Sequence, residues 1–244
     1  TENPDLSLTL VDVHDTFEGL PAVLCSGDEP EVALRGEEIL APRLSRSRDL
    51  GLTLPTSGGW RIEPEEKGRL DKFAVIPFEE EPLPEGYVRI CVEAAGLNFR
   101  DVLNALDMVY MPWFGLELAG VITEVGPGVT TFAVGDRVFG LGQSTFASSA
   151  LADARVIAPL PDTLSFAEAA TIPLCFLTAW YALHDLANLQ SGESILIHAA
   201  AGGVGMAAVQ IATHLGARIY GTASLPKWER LREMGIPEAR IASS

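Results

Sequence analysis

Residues 195–210 read ILIHAAAGGVGMAAVQ: a β-branched apolar run, a cluster of glycines, then small apolar residues at helical spacing. A strand that feeds a helix through a glycine-rich turn brings the backbone close to a pyrophosphate, whose charge the first amides of the helix can hold. Gly202, Gly203 and Gly205 supply the turn, with Ala201 and Val204 among them, and Ala200 stands where the first glycine of the usual pattern falls. A glycine cluster alone is weak. This one follows a predicted strand, opens a predicted helix whose packed face is Val204, Ala208, Ile211 and Leu215, and precedes a second strand, RIYGTAS at 218–224. That surrounding order is the context a dinucleotide fingerprint requires.

The end of the second strand distinguishes the dinucleotides. An NAD site carries an acid about 20 residues after the fingerprint to bind the ribose hydroxyls, and that acid would repel a 2′-phosphate. The chain has GTASLPK at 221–227, with no acid. Thr222 and Ser224 can donate hydroxyl hydrogen bonds and Lys227 can supply charge, which predicts NADPH. Turn and cap chemistry for the two hydroxyls, and a solvated surface charge for Lys227, are the alternatives taken singly.

The 244 residues are 48% hydrophobic, enough to bury a sizeable core in one large domain or two smaller ones. A net charge of −16 argues against nucleic acid or an anionic membrane as partner. Cys25, Cys91 and Cys175 are odd in number and set in apolar surroundings, which predicts buried, reduced thiols in a cytoplasmic protein. Neither a signal peptide nor an apolar run of membrane-spanning length is read. The missing initiator Met and the ending RIASS predict a piece of a longer polypeptide.

Four regions follow one another. Residues 1–48, with LSLTLVDV and EVALRGEEILAPRL, alternate like short strands and resemble the end of one domain, and 49–59 read as a linker, polar and rich in glycine. Residues 60–164 are strand-rich. There YVRICVEAAG places Val88, Ile90, Val92 and Ala94 on one face, and NFRDVLNAL is a short helix with Phe99, Val102, Leu103 and Leu106 on one stripe. Residues 165–244 alternate helix and strand as a parallel βαβαβ unit, with the long apolar segment at 165–187 broken by Pro173. Only two or three of the usual six or so strands fit before Ser244.

The segments AAAGGVG, AGLNFRDVLNAL, GVITEVGPGVTTFAVGDRVFGL and GTASLPKWERL together resemble the medium-chain dehydrogenase/reductase superfamily. Within it the chain is most similar to the enoyl reductase domains of type I modular polyketide synthases, over nearly everything from Trp60 to Ser244. The resemblance implies an α/β fold: a GroES-like β-rich substrate domain plus a Rossmann-type nucleotide-binding domain, truncated after its first half. Residues 1–48 resemble the closing segment of a ketoreductase structural half. Where zinc members carry Cys and a His-Glu pair, this chain has Asn98-Phe99-Arg100 and Gly115-Leu116-Glu117, so no metal site is expected. His14, His184, His198 and His214 are scattered; core packing or contact with a cofactor edge is the reading for His198.

The activity implied by the resemblance is NADPH-dependent reduction of an enoyl thioester on an acyl carrier protein, with hydride to the β-carbon and a proton to the α-carbon. Neighbouring ketoreductase and dehydratase domains would be its partners. Asn98 is the candidate polar group beside nicotinamide and substrate, with helix capping as its other reading. Thr178 matches a position near the nicotinamide amide, with a bond to its own helix backbone as the alternative. Many relatives place a proton-donating Tyr after FRDVL; here NALDMVYMPW puts Val109 at that position and Tyr110 one residue later. Val109 cannot donate a proton, whereas a shift of one residue would restore the role to Tyr110. Other donors of the family, a Lys and an Asp, fall beyond Ser244. A free-standing quinone or alkene reductase and a catalytically inactive structural domain are the readings from other classes.

Overall fold

A computed structural model of the chain describes residues 10–13, 31–35, 38–40, 54–55 and 58–244. Cys25, His14 and most of the expected linker lie outside the described residues. The chain divides into two compact units, Thr1–Gly51 and Leu52–Ser244. In the first, β1 (Leu10–Val13) pairs in parallel with β2 (Glu31–Arg35), which pairs antiparallel with β3 (Glu38–Leu40). Val32 and Leu34 are buried there, with Val11 and Val13 against them.

The second unit begins with an antiparallel pair, β4 (Gly59–Pro64) and β5 (Phe73–Phe78). An antiparallel five-stranded sheet follows: β6 (Tyr87–Gly96), β7 (Glu117–Val125), β8 (Arg137–Leu141), β9 (Ser149–Asp153) and β10 (Ile157–Pro159), in the order β10-β8-β7-β6-β9. Val88, Ile90, Leu118, Ile122, Val138 and Ile157 form its core. The alternation expected along β6 is interrupted, because the register against β7 shifts between Arg89 and Ile90 and again between Val92 and Ala94. Arg89 is therefore buried as well, its guanidinium donating to Glu124 Oε2 at 3.0 Å.

Helix α1 (Phe99–Ala105) corrects the expected apolar stripe. Phe99 is 75% exposed, and the buried residues are Asp101, Asn104 and Ala105. The inward face is polar because the surrounding loops need hydrogen-bond partners. Asp101 accepts from Asn98 N (2.8 Å) and Gly115 N (3.2 Å), and Asn104 accepts from Met111 N (3.2 Å) while donating to Trp113 O (3.3 Å).

The second layer is a parallel sheet, β11 (Ser194–Ile197), β12 (Arg218–Ala223) and β13 (Ile241–Ser243), in that order. The helical segment before it is interrupted as Pro173 dictates. Helix α2 (Phe166–Ala169) is capped by Ser165 and Glu168, and α3 (Pro173–Trp180) starts on the proline, where the missing N–H costs nothing. A π-helical turn continues α3 over Tyr181–Leu186. Contrary to the expectation of no run of spanning length, Phe166–Leu186 is 21 residues and apolar enough by composition to cross a membrane. Ala169, Ala170, Pro173, Ala179 and Leu183 on it nevertheless face the protein's own interior.

Helix α4 (Gly203–His214) packs on the parallel sheet through Ala208, Val209, Ile211 and Ala212. Ala208, Ile211 and Leu215 lie on the expected face, whereas Val204 is exposed in the first turn, where Gly205 makes the close contact with Ala199 and Ala200. A 3-10 turn (Leu225–Lys227) and helix α5 (Trp228–Glu233) join β12 to β13. Cys91 and Cys175 are free and half-buried rather than fully buried.

Candidate active site

The glycine turn is built by close packing. A β-carbon on Gly205 would fall 2.3 Å from the Ala199 carbonyl oxygen and 2.8 Å from Ala200 Cα. Ala200, in place of a glycine, is fully buried and tolerated because β12 passes it with Gly221, whose own β-carbon would meet Ala200 Cβ at 3.1 Å. Ala199 takes a left-handed conformation, φ 49°, which costs a non-glycine residue about 1 kcal/mol. Hydrogen bonds hold it there: Gly202 N donates to Ala199 O (2.8 Å), Ala200 N to Thr222 O (2.9 Å) and Ala199 N to Thr222 Oγ1 (3.3 Å).

Gly202 is the N-cap of α4, so the amides of Gly203, Val204 and Gly205 are the free donors of its first turn. Bare backbone, a helix of about three turns and the exposed Gly203 and Val204 at its start fit a dinucleotide pyrophosphate. Ala201 is half-buried inside the turn. Thr222 is buried, with its hydroxyl engaged by Ala199 N and 3.3 Å from His198 Nδ1. His198 is exposed at the end of β11, so it is not packed in the core. Ser224 and Lys227 are exposed, and Lys227 makes no ion pair among the described residues. Trp228 Nε1 donates to Ala223 O (2.9 Å), which fixes the strand end from which Ser224 and Lys227 project.

A cleft of about 340 Å³ lies between the two layers, lined among others by Asn98, Glu117, Thr171, Cys175, Gly203 and Met206. Asn98, from the loop after β6, thus shares a cavity with the glycine turn. It is the N-cap residue of α1 and forms a capping box with Asp101, while its Nδ2 donates to Glu117 Oε1 at 2.7 Å. Glu117 is 2% exposed, and its Oε2 accepts from Leu174 N at 2.8 Å. Burial first, and the negative charge of Glu117 second, push the Cys175 thiol up. Burial also pushes the Asp101 carboxyl up, against the lowering effect of its two backbone donors.

Of the expected residues only Asn98 and Gly203 line this cleft, and three of the others lie away from the glycine turn as well. Thr178 is exposed on α3 one turn beyond Cys175. Val109 and Tyr110 sit on the loop after α1, where Tyr110 is 78% exposed with its ring 5.1 Å from the Lys67 ammonium. Sequence reasoning missed Asp101, Asn104 and the bond between Glu117 and Asn98. The pattern Asn98-x-x-Asp101 was the available signal, since an acid three residues after an N-cap returns a bond to its amide.

Residues 84–162 match the alcohol dehydrogenase GroES-like domain family. The spectinabilin polyketide synthase system protein NorB of Streptomyces orinoci is 51% identical over 230 residues, which cover 92% of this chain and 10% of that protein. Among solved structures, CurK enoyl reductase is similar with a TM-score of 0.72 and 42% identity, over 77% of this chain and 60% of that one. A quinone oxidoreductase of Pseudomonas syringae pv. Tomato DC3000 gives a TM-score of 0.66 and 35% identity, over 73% and 57%. Antiparallel GroES-like sheet, glycine turn and intervening cleft are the parts of a medium-chain dehydrogenase/reductase, an oxidoreductase class that works with a nicotinamide cofactor. The chain belongs to that superfamily, with the enoyl reductase domains of type I modular polyketide synthases. It spans about a tenth of the curated relative and 60% of the solved enoyl reductase.

Proposed function

We propose that this protein reduces the α,β-double bond of an enoyl thioester carried on an acyl carrier protein, in the cytoplasm, during polyketide chain extension. The observation that carries the reading is the shared cleft: Asn98 from the β-rich layer and Gly203 at the head of α4 line one cavity. NADPH, when bound, supplies a hydride to the substrate β-carbon. The turn from Ala201 to Gly205 presents backbone amides to its pyrophosphate, and Ser224 and Lys227 supply a hydroxyl and a charge to its 2′-phosphate. Thr222 acts one step back, holding Ala199 and with it the turn. Asn98 offers hydrogen bonds beside the thioester carbonyl, whose oxygen gains negative charge as the β-carbon is reduced.

The α-carbon then takes a proton. Val109 at the position of the donating Tyr leaves that proton to water or another group, and Tyr110 becomes the donor only if its loop turns inward from the Lys67 contact. The first unit is read as the end of a ketoreductase structural half, with ketoreductase and dehydratase domains as neighbours. The likeness to a quinone oxidoreductase supports a quinone as the competing acceptor.

The test is consumption of NADPH by the polypeptide with a crotonyl thioester on its carrier protein, with the saturated product identified by mass spectrometry. A quinone is offered in parallel. Turnover of the thioester is expected; turnover of the quinone alone, or no NADPH binding at all, would sink the reading.

A further inference from the structure

Glu117 is a buried carboxylate with two backbone or side-chain donors and no cation beside it in the described hydrogen bonds: Asn98 Nδ2 at 2.7 Å on Oε1 and Leu174 N at 2.8 Å on Oε2. It stands in β7 and reaches across to the first turn of α3, so it joins the substrate layer to the nucleotide layer at the cleft. The reach depends on Gly96, where a β-carbon would fall 2.3 Å from Glu117 Oε1 and 2.5 Å from Ala170 O. A carboxylate only accepts hydrogen bonds, whereas a carboxamide has a donating and an accepting end. Asn98 must therefore turn its NH₂ end to Glu117 and Oδ1 to the Asp101 amide of the capping box, and the second Nδ2 proton is left for a bound ligand.

We propose that Glu117 is a positioning residue for the reductase reaction, setting which end of the Asn98 carboxamide faces the reacting groups. The inference rests on the proposed reductase function. Glutamine at 117 keeps the volume and can still accept from Leu174 N through its oxygen. Its NH₂ then faces Asn98, whose amide keeps a bond only by inverting and presenting the wrong end to the cleft.

The test compares Glu117→Gln, Asn98→Ala and the double variant in the complete polypeptide, with NADPH and the enoyl thioester. Glu117→Gln is expected to fold with a thermal midpoint near wild type, keep its KM for NADPH and lose about tenfold or more in kcat. In ¹⁵N-labelled protein without cofactor, the Asn98 side-chain amide resonances are expected to move. Because Glu117 acts through Asn98, Glu117→Gln should add no further loss in the Asn98→Ala background. Wild-type kcat in Glu117→Gln, an unmoved Asn98 amide, or losses that add in the double variant would overturn the proposal while leaving the reductase reading intact. No thioester reduction by wild type would instead remove the reading, and the amide resonances would still report whether Glu117 orients Asn98.

Discussion

The carbonyl oxygen of Ala199 lies 2.3 Å from the point where a β-carbon on Gly205 would fall, whereas for Gly202 the same oxygen would be 3.2 Å away. The two glycines of the turn are therefore unequal. Gly205→Ala forces strand and helix apart and is expected to cost about 1–3 kcal/mol of stability together with nucleotide binding. Gly202→Ala should cost less stability, with the nucleotide weakened mainly by the methyl beside its pyrophosphate. Thermal unfolding and a fluorescence titration with NADPH check the pair, and equal behaviour would contradict the packing account.

Thr222 and Lys227 flank the same strand end but face different ways, one buried against Ala199 and the other exposed. Lys227→Ala should weaken NADPH about 10- to 100-fold, the worth of a hydrogen bond to a charged group, and leave NADH nearly unchanged. Thr222→Val removes the acceptor for Ala199 N and should weaken both nucleotides alike. Binding isotherms for the two nucleotides decide, and equal weakening by Lys227→Ala would refute its contact with the 2′-phosphate.

Cys175 lines the cleft, and burial and then Glu117 hold its thiol above the ordinary range. Because the thiolate is the reacting form, alkylation by iodoacetamide at mildly alkaline pH should be slower than for a free thiol, and NADPH should slow it further. Peptide mass spectrometry reads both effects. Labelling at the rate of a small-molecule thiol, indifferent to NADPH, would place Cys175 outside the cofactor cleft.

The parts of the fold legible in the sequence were those written in apolar periodicity and glycine. The run at 195–210 carries both, and the strand, turn and helix lie where the pattern puts them. The parts it concealed are polar contacts between distant segments. Nothing in NFRDVLNAL says that Asp101 reaches Gly115 or that Asn104 reaches Met111 and Trp113, so its apolar residues alone put Phe99 on the wrong side. Glu117 stands out in the sequence only as part of a departure from a metal-binding pattern. Its partners, Asn98 and Leu174, lie 19 and 57 residues away, beyond any local periodicity.

Asp101 and Asp153 should give opposite pH dependences. Burial raises Asp101, so the folded state favours its protonated form. Its contribution to stability is complete below the ordinary aspartate value and is lost as pH rises through the raised folded value. Asp153 is lowered to about 2, chiefly by the Arg155 side chain; its contribution is present above the ordinary value of 3.8 and is lost as pH falls through about 2. Solvent screening keeps the Asp153 effect small, since it lies on the surface. Urea midpoints measured from acid to neutral pH for wild type, Asp101→Asn and Asp153→Asn check the signs. The wild-type advantage over Asp101→Asn should shrink as pH rises and that over Asp153→Asn should grow. A wild-type advantage over Asp101→Asn that grew with pH would mean that the two backbone donors, Asn98 N and Gly115 N, outweigh burial at that carboxyl.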